Sequence, residues 1–287
     1  MQLPTLPARL LLATAGLALA NSAAKAALDY DDGDLLLAFR ATGGAGANTN
    51  YLVNLGNAAT YVNATQILTL DIELGNLKAD LDALYTADWK TRVDFFWSVS
   101  GVQKVAGNGF TTNTMFATAA QTGTLTLGIQ GSTAWTRPSA FGAGAPALKM
   151  QSFGERFELG DGDATPNGST ESSNSSFALI QPANSANSYS SFMPGGVNTQ
   201  GASAFGYFSS ATTIEGSFSA GTAGVMLDFY HIAPGSGNSA FEGTFTLNDN
   251  ATVTFAPTGV PEPSSMMALA LGVTVLSGIR RRSKANA

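Results

Sequence analysis

The sequence predicts a mainly β fold, a β-sandwich or jelly-roll-like domain with one short helix, flanked on each side by an apolar terminal segment. Three features carry that expectation. Short runs rich in Val, Ile, Leu, Thr and Tyr alternate with Gly, Asn and Ser clusters over residues 28–258, the pattern of strands and turns. Hydrophobic residues make up 44% of the chain, with 17 Phe, 7 Tyr and 3 Trp, enough to fill a core. No repeat with a period of about 20–50 residues is present, which argues against a solenoid or propeller.

The elements follow in order. Residues 1–26 have the parts of a secretory signal peptide: Arg9, the apolar and small run Leu10–Ala20, and a small-x-small site at Ala24-Lys25-Ala26. Cleavage is expected after Ala26. Strands are expected in "NTNYLVNLG" (48–56) and "AATYVNATQILTLDI" (58–72). The segment 72–89 breaks the β pattern. Leu74, Leu77, Leu81, Leu84 and Tyr85 recur at helical spacing with Lys78, Asp80 and Asp82 off that face, so a helix is expected near 74–86. "TRVDFFWSVSGV" (91–102) alternates as a half-buried strand should, and "GTLTLGIQ" (123–130) is expected to be another. Residues 158–176 are polar and turn-rich, a long loop or internal boundary, and a second polar stretch spans 183–203. "AGVMLDFYHIAPG" (223–235) predicts a strand stopped by Pro234-Gly235. In "FEGTFTLNDNATVTFAP" (241–257), Phe245 and Leu247 should pair with Val253 and Phe255 across a turn at Asn248-Asp249-Asn250. The exported β-rich domain is therefore expected over 27–258.

Charge restricts the partners. Charged residues are 12% of the chain, about half the usual share. Setting aside the six bases and one acid at the two ends leaves eight bases against 19 acids, and no Lys or Arg lies between Arg156 and Arg280. Nucleic acid, whose binding needs cations to displace phosphate counterions, is excluded as a partner. The chain has no Cys, which removes disulfides, thiolate nucleophiles and sulfur-based zinc sites.

Residues 259–287 form a distinct tail. Pro261-Glu262-Pro263 is held extended by its prolines. The uncharged apolar stretch 264–279 follows, and a helix of its 16 residues would be about 24 Å long. Against a hydrocarbon core of about 30 Å that is a minimal span. Arg280, Arg281 and Arg282 open the basic stretch 280–287, which the positive-inside rule places on the cytoplasmic side, with the acidic domain outside. V-P-E-P, a short apolar helix and a terminal Arg cluster together resemble a PEP-CTERM sorting signal over residues 260–287. The resemblance implies transient partnership with the inner membrane and with an exosortase, an integral-membrane cysteine peptidase of Gram-negative bacteria that make extracellular polysaccharide. The same segment also occurs in proteins labelled as having an ice-binding C-terminal domain, so that label describes a tail and not an activity. The runs at 33–56, 88–97 and 242–255 are similar to bodies of PEP-CTERM proteins of unknown function.

Candidate chemistry is sparse. His231, the single histidine, shares a strand face with Phe229 and is expected at a surface or edge, and there is neither G-x-S-x-G nor H-E-x-x-H. No catalytic residue is assigned. Glu155 and Glu158 are the nearest pair of carboxylates for a glycoside hydrolase, against solvated loop charge as the alternative. For a structural calcium the candidates are Asp161, Asp163 and Asn167, then Asp29, Asp31, Asp32 and Asp34; neither run completes an EF-hand loop. The Gly-rich runs lack the lysine and following helix of a phosphate loop, so no nucleotide or other cofactor is expected. The leading expectation is a non-catalytic exported surface or matrix protein, its Asn/Ser/Thr/Gly surface suited to extracellular polysaccharide. The alternative is a carbohydrate-binding or adhesive module, with Trp89, Trp97 and Trp135 as stacking candidates. A carboxylate glycosidase stands third.

Overall fold

The computed structural model describes residues 30–70, 76–158, 170–171, 178–196, 204–208, 214–218 and 225–259. In chain order these form β1 (Asp34–Ala41), β2 (Thr49–Asn57), α1 (Ala59–Val62), β3 (Leu68–Thr69), α2 (Leu77–Tyr85), β4 (Phe95–Gln103), β5 (Thr114–Ala120) and α3 (Gly144–Glu158). There follow β6 (Thr170–Glu171), β7 (Ala178–Pro182), α4 (Tyr189–Phe192), β8 (Gly216–Ser217), β9 (Val225–Ile232), β10 (Ala240–Leu247) and β11 (Val253–Pro257). The protein is mainly β, as predicted. Its strands form one antiparallel sheet in the order β3-β11-β10-β9-β5-β4-β1-β2-β7-β6, and this sheet curls into a sandwich-like body.

Both faces of the sheet are covered. Alternate residues of each strand point to opposite faces. Leu35, Leu37, Phe39, Phe95, Trp97, Phe229, Phe245 and Phe255 build one core, closed by Tyr61 of α1 and by Leu77, Leu81 and Tyr85 of α2. The short α1 touches β2 on one side and β10 and β11 on the other, so it plugs the concave face. Leu36, Ala38, Leu52, Met115, Ala117, Tyr230 and Ile232 build the second core under α3 and α4. That explains why β1 is buried at every position rather than at alternate ones.

The sheet curls sharply between β4 and β5. These strands pair only over Ser100–Gln103, after which β5 follows β9. Beyond the split, β8 takes the vacated side of Phe96 and Trp97. Thr118 bridges the opening: its Oγ1 accepts from Val99 N at 3.0 Å and donates to Ile214 O at 2.8 Å.

Several expectations hold in detail. The helix expected near 74–86 is α2, capped by the Asn76 side chain, which accepts from Ala79 N at 3.2 Å. Phe245 pairs with Phe255 and Leu247 with Val253, across a turn closed by Ala251 N donating to Asn248 O.

Others are corrected. Residues 123–130 form no strand. Both sides of β5 are already occupied by β4 and β9, and the segment runs as a loop whose backbone is satisfied by side chains. Gln121 Nε2 donates to Thr126 O and Ile129 O, while Asp228 accepts from Gly131 N, Ser132 N and Ser132 Oγ. The run at 58–72 divides into α1 and the two-residue β3, because Tyr61 turns inward onto Phe245 and Phe255. The strand at 91–102 begins only at Phe95 and is buried on both faces, with Val93 left 64% exposed before it. The domain has more than one helix. The 15-residue α3 buries Ala147, Met150, Phe153 and Phe157 at spacings of three and four.

Candidate functional site

Pairing across the sheet lines up a polar row on the face covered by α4. Gln181 of β7 lies opposite Asn50 of β2, Asn50 opposite Arg40 of β1, Arg40 opposite Phe96 of β4, and Phe96 opposite Ser217 of β8. Glu215 immediately precedes β8 and reaches back to Arg40. Arg40 Nε donates to Glu215 Oε1 at 2.7 Å and Nη2 to Oε2 at 2.6 Å, a two-pronged ion pair with side chains 8% and 1% exposed. The guanidinium lies 5.2 Å over the Phe96 ring. Tyr189 Oη donates to Glu215 Oε1 at 2.8 Å and lies 2.6 Å from Ser98 Oγ. Burial, reinforced by the charge of Glu215, holds the Tyr189 phenol well above its ordinary value. Burial alone would lower the Arg40 pKa, but the Glu215 charge and hydrogen bonds outweigh it and the net shift is upward.

Beside this row an open cleft of about 400 Å³ lies between the β1–β2 hairpin and residues 183–196. Behind its lining the buried Asn50 donates Nδ2 to Gln181 Oε1 at 3.1 Å and accepts from the cleft-lining Ser190 Oγ at 2.5 Å. The hairpin wall is strapped by Arg92, whose guanidinium donates to Gly43 O, Ala45 O, Tyr85 O and both oxygens of Asp94. The cleft thus has a rigid, polar, charge-compensated frame. Its described lining offers amide and hydroxyl groups to a ligand.

The residues singled out in the sequence do not converge there. Trp89, Trp97 and Trp135 are 1%, 0% and 8% exposed, so none is a surface stacking platform. A β domain this poor in charge draws its largest aromatics into its cores, where Trp97 stacks on Phe39 and Trp135 packs edge-on against Phe208 and Tyr230. His231 sits on β9, an interior strand rather than an edge, between the rings of Phe110 and Phe116 with Nδ1 3.5 Å from Glu242 Oε1. Glu155 and Glu158 lie three apart on α3, both exposed, and neither lines the cleft.

Of the candidate calcium ligands, Asp32 caps Lys104 N and Val105 N, and Asp34 accepts from Asn54 Nδ2 at 2.9 Å. Among the described residues no group of three or more His, Cys, Asp or Glu side chains could hold a metal. Asp29, Asp161, Asp163 and Asn167 lie outside the described residues, as do Ala24, Ala26, Pro261, Glu262, Pro263, Arg280, Arg281 and Arg282. No helix among the described residues is long and apolar enough to cross a membrane.

The Arg40–Glu215 pair was missed in the sequence, since its partners are 175 residues apart. One signal was present. Glu215 is the lone acid between Glu171 and Asp228, in a stretch without any base, so its counter-charge had to come from a distant strand.

The class defined by these features is a curled, mainly β domain followed by a short tail that begins two residues after β11 ends at Pro257. Residues 259–282 of that tail match the family model for the PEP-CTERM protein-sorting motif. The tail therefore carries a PEP-CTERM sorting signal, the signal of exported proteins that are membrane-held and then processed by an exosortase. No curated protein and no solved structure matches it.

Proposed function

We propose that the protein is a non-catalytic β domain exported through a cleaved signal peptide and delivered by its PEP-CTERM signal to the cell surface or extracellular matrix. The observation that carries this is the sorting motif at 259–282, adjoining the last strand of the folded domain. Cleavage at or near Pro261-Glu262-Pro263 releases the domain from a helix at 264–279, while the arginines at 280–282 remain on the cytoplasmic side. The low share of charged residues, 12%, and the abundance of Asn, Ser, Thr and Gly support a structural role among hydrated polysaccharides. The test is intact mass of the protein from cells and from the extracellular fraction, with and without exosortase. The extracellular form should lack residues beyond about 263 and should be absent without the peptidase. Retention of the three arginines in the extracellular form would overturn the sorting reading. Polysaccharide hydrolysis abolished by Glu155→Gln would overturn the non-catalytic one.

A further inference from the structure

The cleft between the β1–β2 hairpin and residues 183–196 is lined by one charged side chain, already ion-paired, that keeps a spare donor. Arg40 lines it, and the side chain is more than nine-tenths buried. Nε and Nη2 are committed to Glu215, but among the described residues Nη1 has no hydrogen-bond partner. Nη1 is thus a solvent-reaching donor on a cleft-lining side chain, and it can donate to an incoming oxygen acceptor. Around it the lining side chains are amides and hydroxyls, notably Asn48, Asn184 and Ser190, with Gly195 and Gly196 keeping the wall low. Neither Asn48 nor Asn184 uses its side-chain amide in any hydrogen bond within the described fold, and both are exposed.

Charge and shape narrow the ligand. The Arg40 charge is already matched by Glu215 at 2.6 Å, so a second carboxylate or a phosphate would meet Glu215 as well as Arg40. An uncharged acceptor meets no such opposition. Among the described residues no aromatic ring lines the cleft, which disfavours a nucleobase or other flat apolar group. At about 400 Å³ the space is at the lower end for small-molecule sites. We infer that this cleft binds an uncharged saccharide of mono- to disaccharide size, with ring or hydroxyl oxygens accepting from Arg40 Nη1 and hydroxyls meeting Asn48, Asn184 and Ser190. This goes beyond the sorting reading and does not depend on it, because it concerns the folded domain and not the tail.

The experiment is calorimetric titration of the full-length protein with neutral glucose-, galactose- and mannose-based oligosaccharides at millimolar concentration, beside matched uronic-acid oligosaccharides. Arg40 substitutions disturb the buried pair, so the diagnostic variant is Asn48→Ala with Asn184→Ala, at exposed positions. The expected result is saturable binding of at least one neutral sugar, weakened about tenfold or more in the double variant. The melting temperature of that variant should be unchanged, and the matched uronate should bind more weakly. The inference is overturned by no saturable binding of any neutral sugar, by binding the double variant leaves intact, or by a uronate binding more tightly than its neutral counterpart. These outcomes are read independently of the mass of the exported form, so a failed ligand leaves the sorting result standing, and the reverse.

Discussion

Replacing Glu215 by Gln would leave the Arg40 guanidinium without its counter-charge in a site where the side chain is 8% exposed. Breaking a buried ion pair from one side costs about 3–5 kcal/mol, because the remaining charge stays desolvated. Glu215→Gln should therefore lower the urea-unfolding free energy by about 3 kcal/mol, the carboxamide retaining part of the bonding to Tyr189. Replacing both partners by Met removes the desolvated charges altogether and should recover most of that loss. A double variant as unstable as the single one would show that the pair contributes net attraction beyond cancelling its own desolvation. The same reasoning explains why Phe96, rather than a second acid, faces the guanidinium: one carboxylate already neutralises it.

Among the elements, the β1–β2 hairpin shows how one side chain fixes a wall of the cleft. Arg92 makes five hydrogen bonds to Gly43, Ala45, Tyr85 and Asp94, and Tyr85 Oη shares its one hydrogen between Phe39 O and Thr49 O, each 3.1 Å away, on either side of the same turn. Arg92→Met should cost about 2 kcal/mol. Its distinctive effect should be faster amide exchange over residues 43–49, with β9 and β10 unchanged; uniform acceleration throughout the sheet would refute a local strap. The elements also show what was legible in the sequence. The β10–β11 hairpin could be predicted to the residue because its alternation and its turn are both local. Helix α3 was not, since Gly144, Pro146 and Gly154 lower helix propensity. Pro146 is tolerated because a first-turn N–H has no helical partner to lose, and Gly154 is required because an added Cβ would fall 2.2 Å from the Tyr30 ring. The run 123–130 has strand composition, but both sides of the preceding β5 are taken by β4 and β9, and edge availability is a property of the whole topology. Of the candidate site, isolated charges were visible, but not their partners. Cross-strand rows such as Gln181–Asn50–Arg40–Phe96 assemble only when the strand order is known.

At the scale of the whole molecule, tyrosine burial sets the alkaline limit of stability. Burial raises the phenols of Tyr30, Tyr85, Tyr189 and Tyr207 above the ordinary 10.0, and it pushes Tyr230 up to about 12. An upward shift means that the folded state holds its phenolic protons more tightly than the unfolded chain. This contribution is fully present below pH 10 and is lost as pH climbs from there through the folded values. Among the carboxylates with a shift, the directions differ. Asp94 is lowered by its hydrogen bonds from Arg92 and Asp82 by its bond from Lys78, and both favour the fold above the ordinary 3.8 and lose that contribution as pH falls. Asp34 is raised by burial and acts in the opposite sense. Five tyrosines share one curled sheet and its coverings, so their ionisation should follow unfolding rather than precede it. Phenolate absorbance and far-ultraviolet circular dichroism recorded over the same alkaline titration should change together in one cooperative step above pH 10. Smooth ionisation of all tyrosines near pH 10, with the dichroism intact, would contradict the burial that holds the two cores closed.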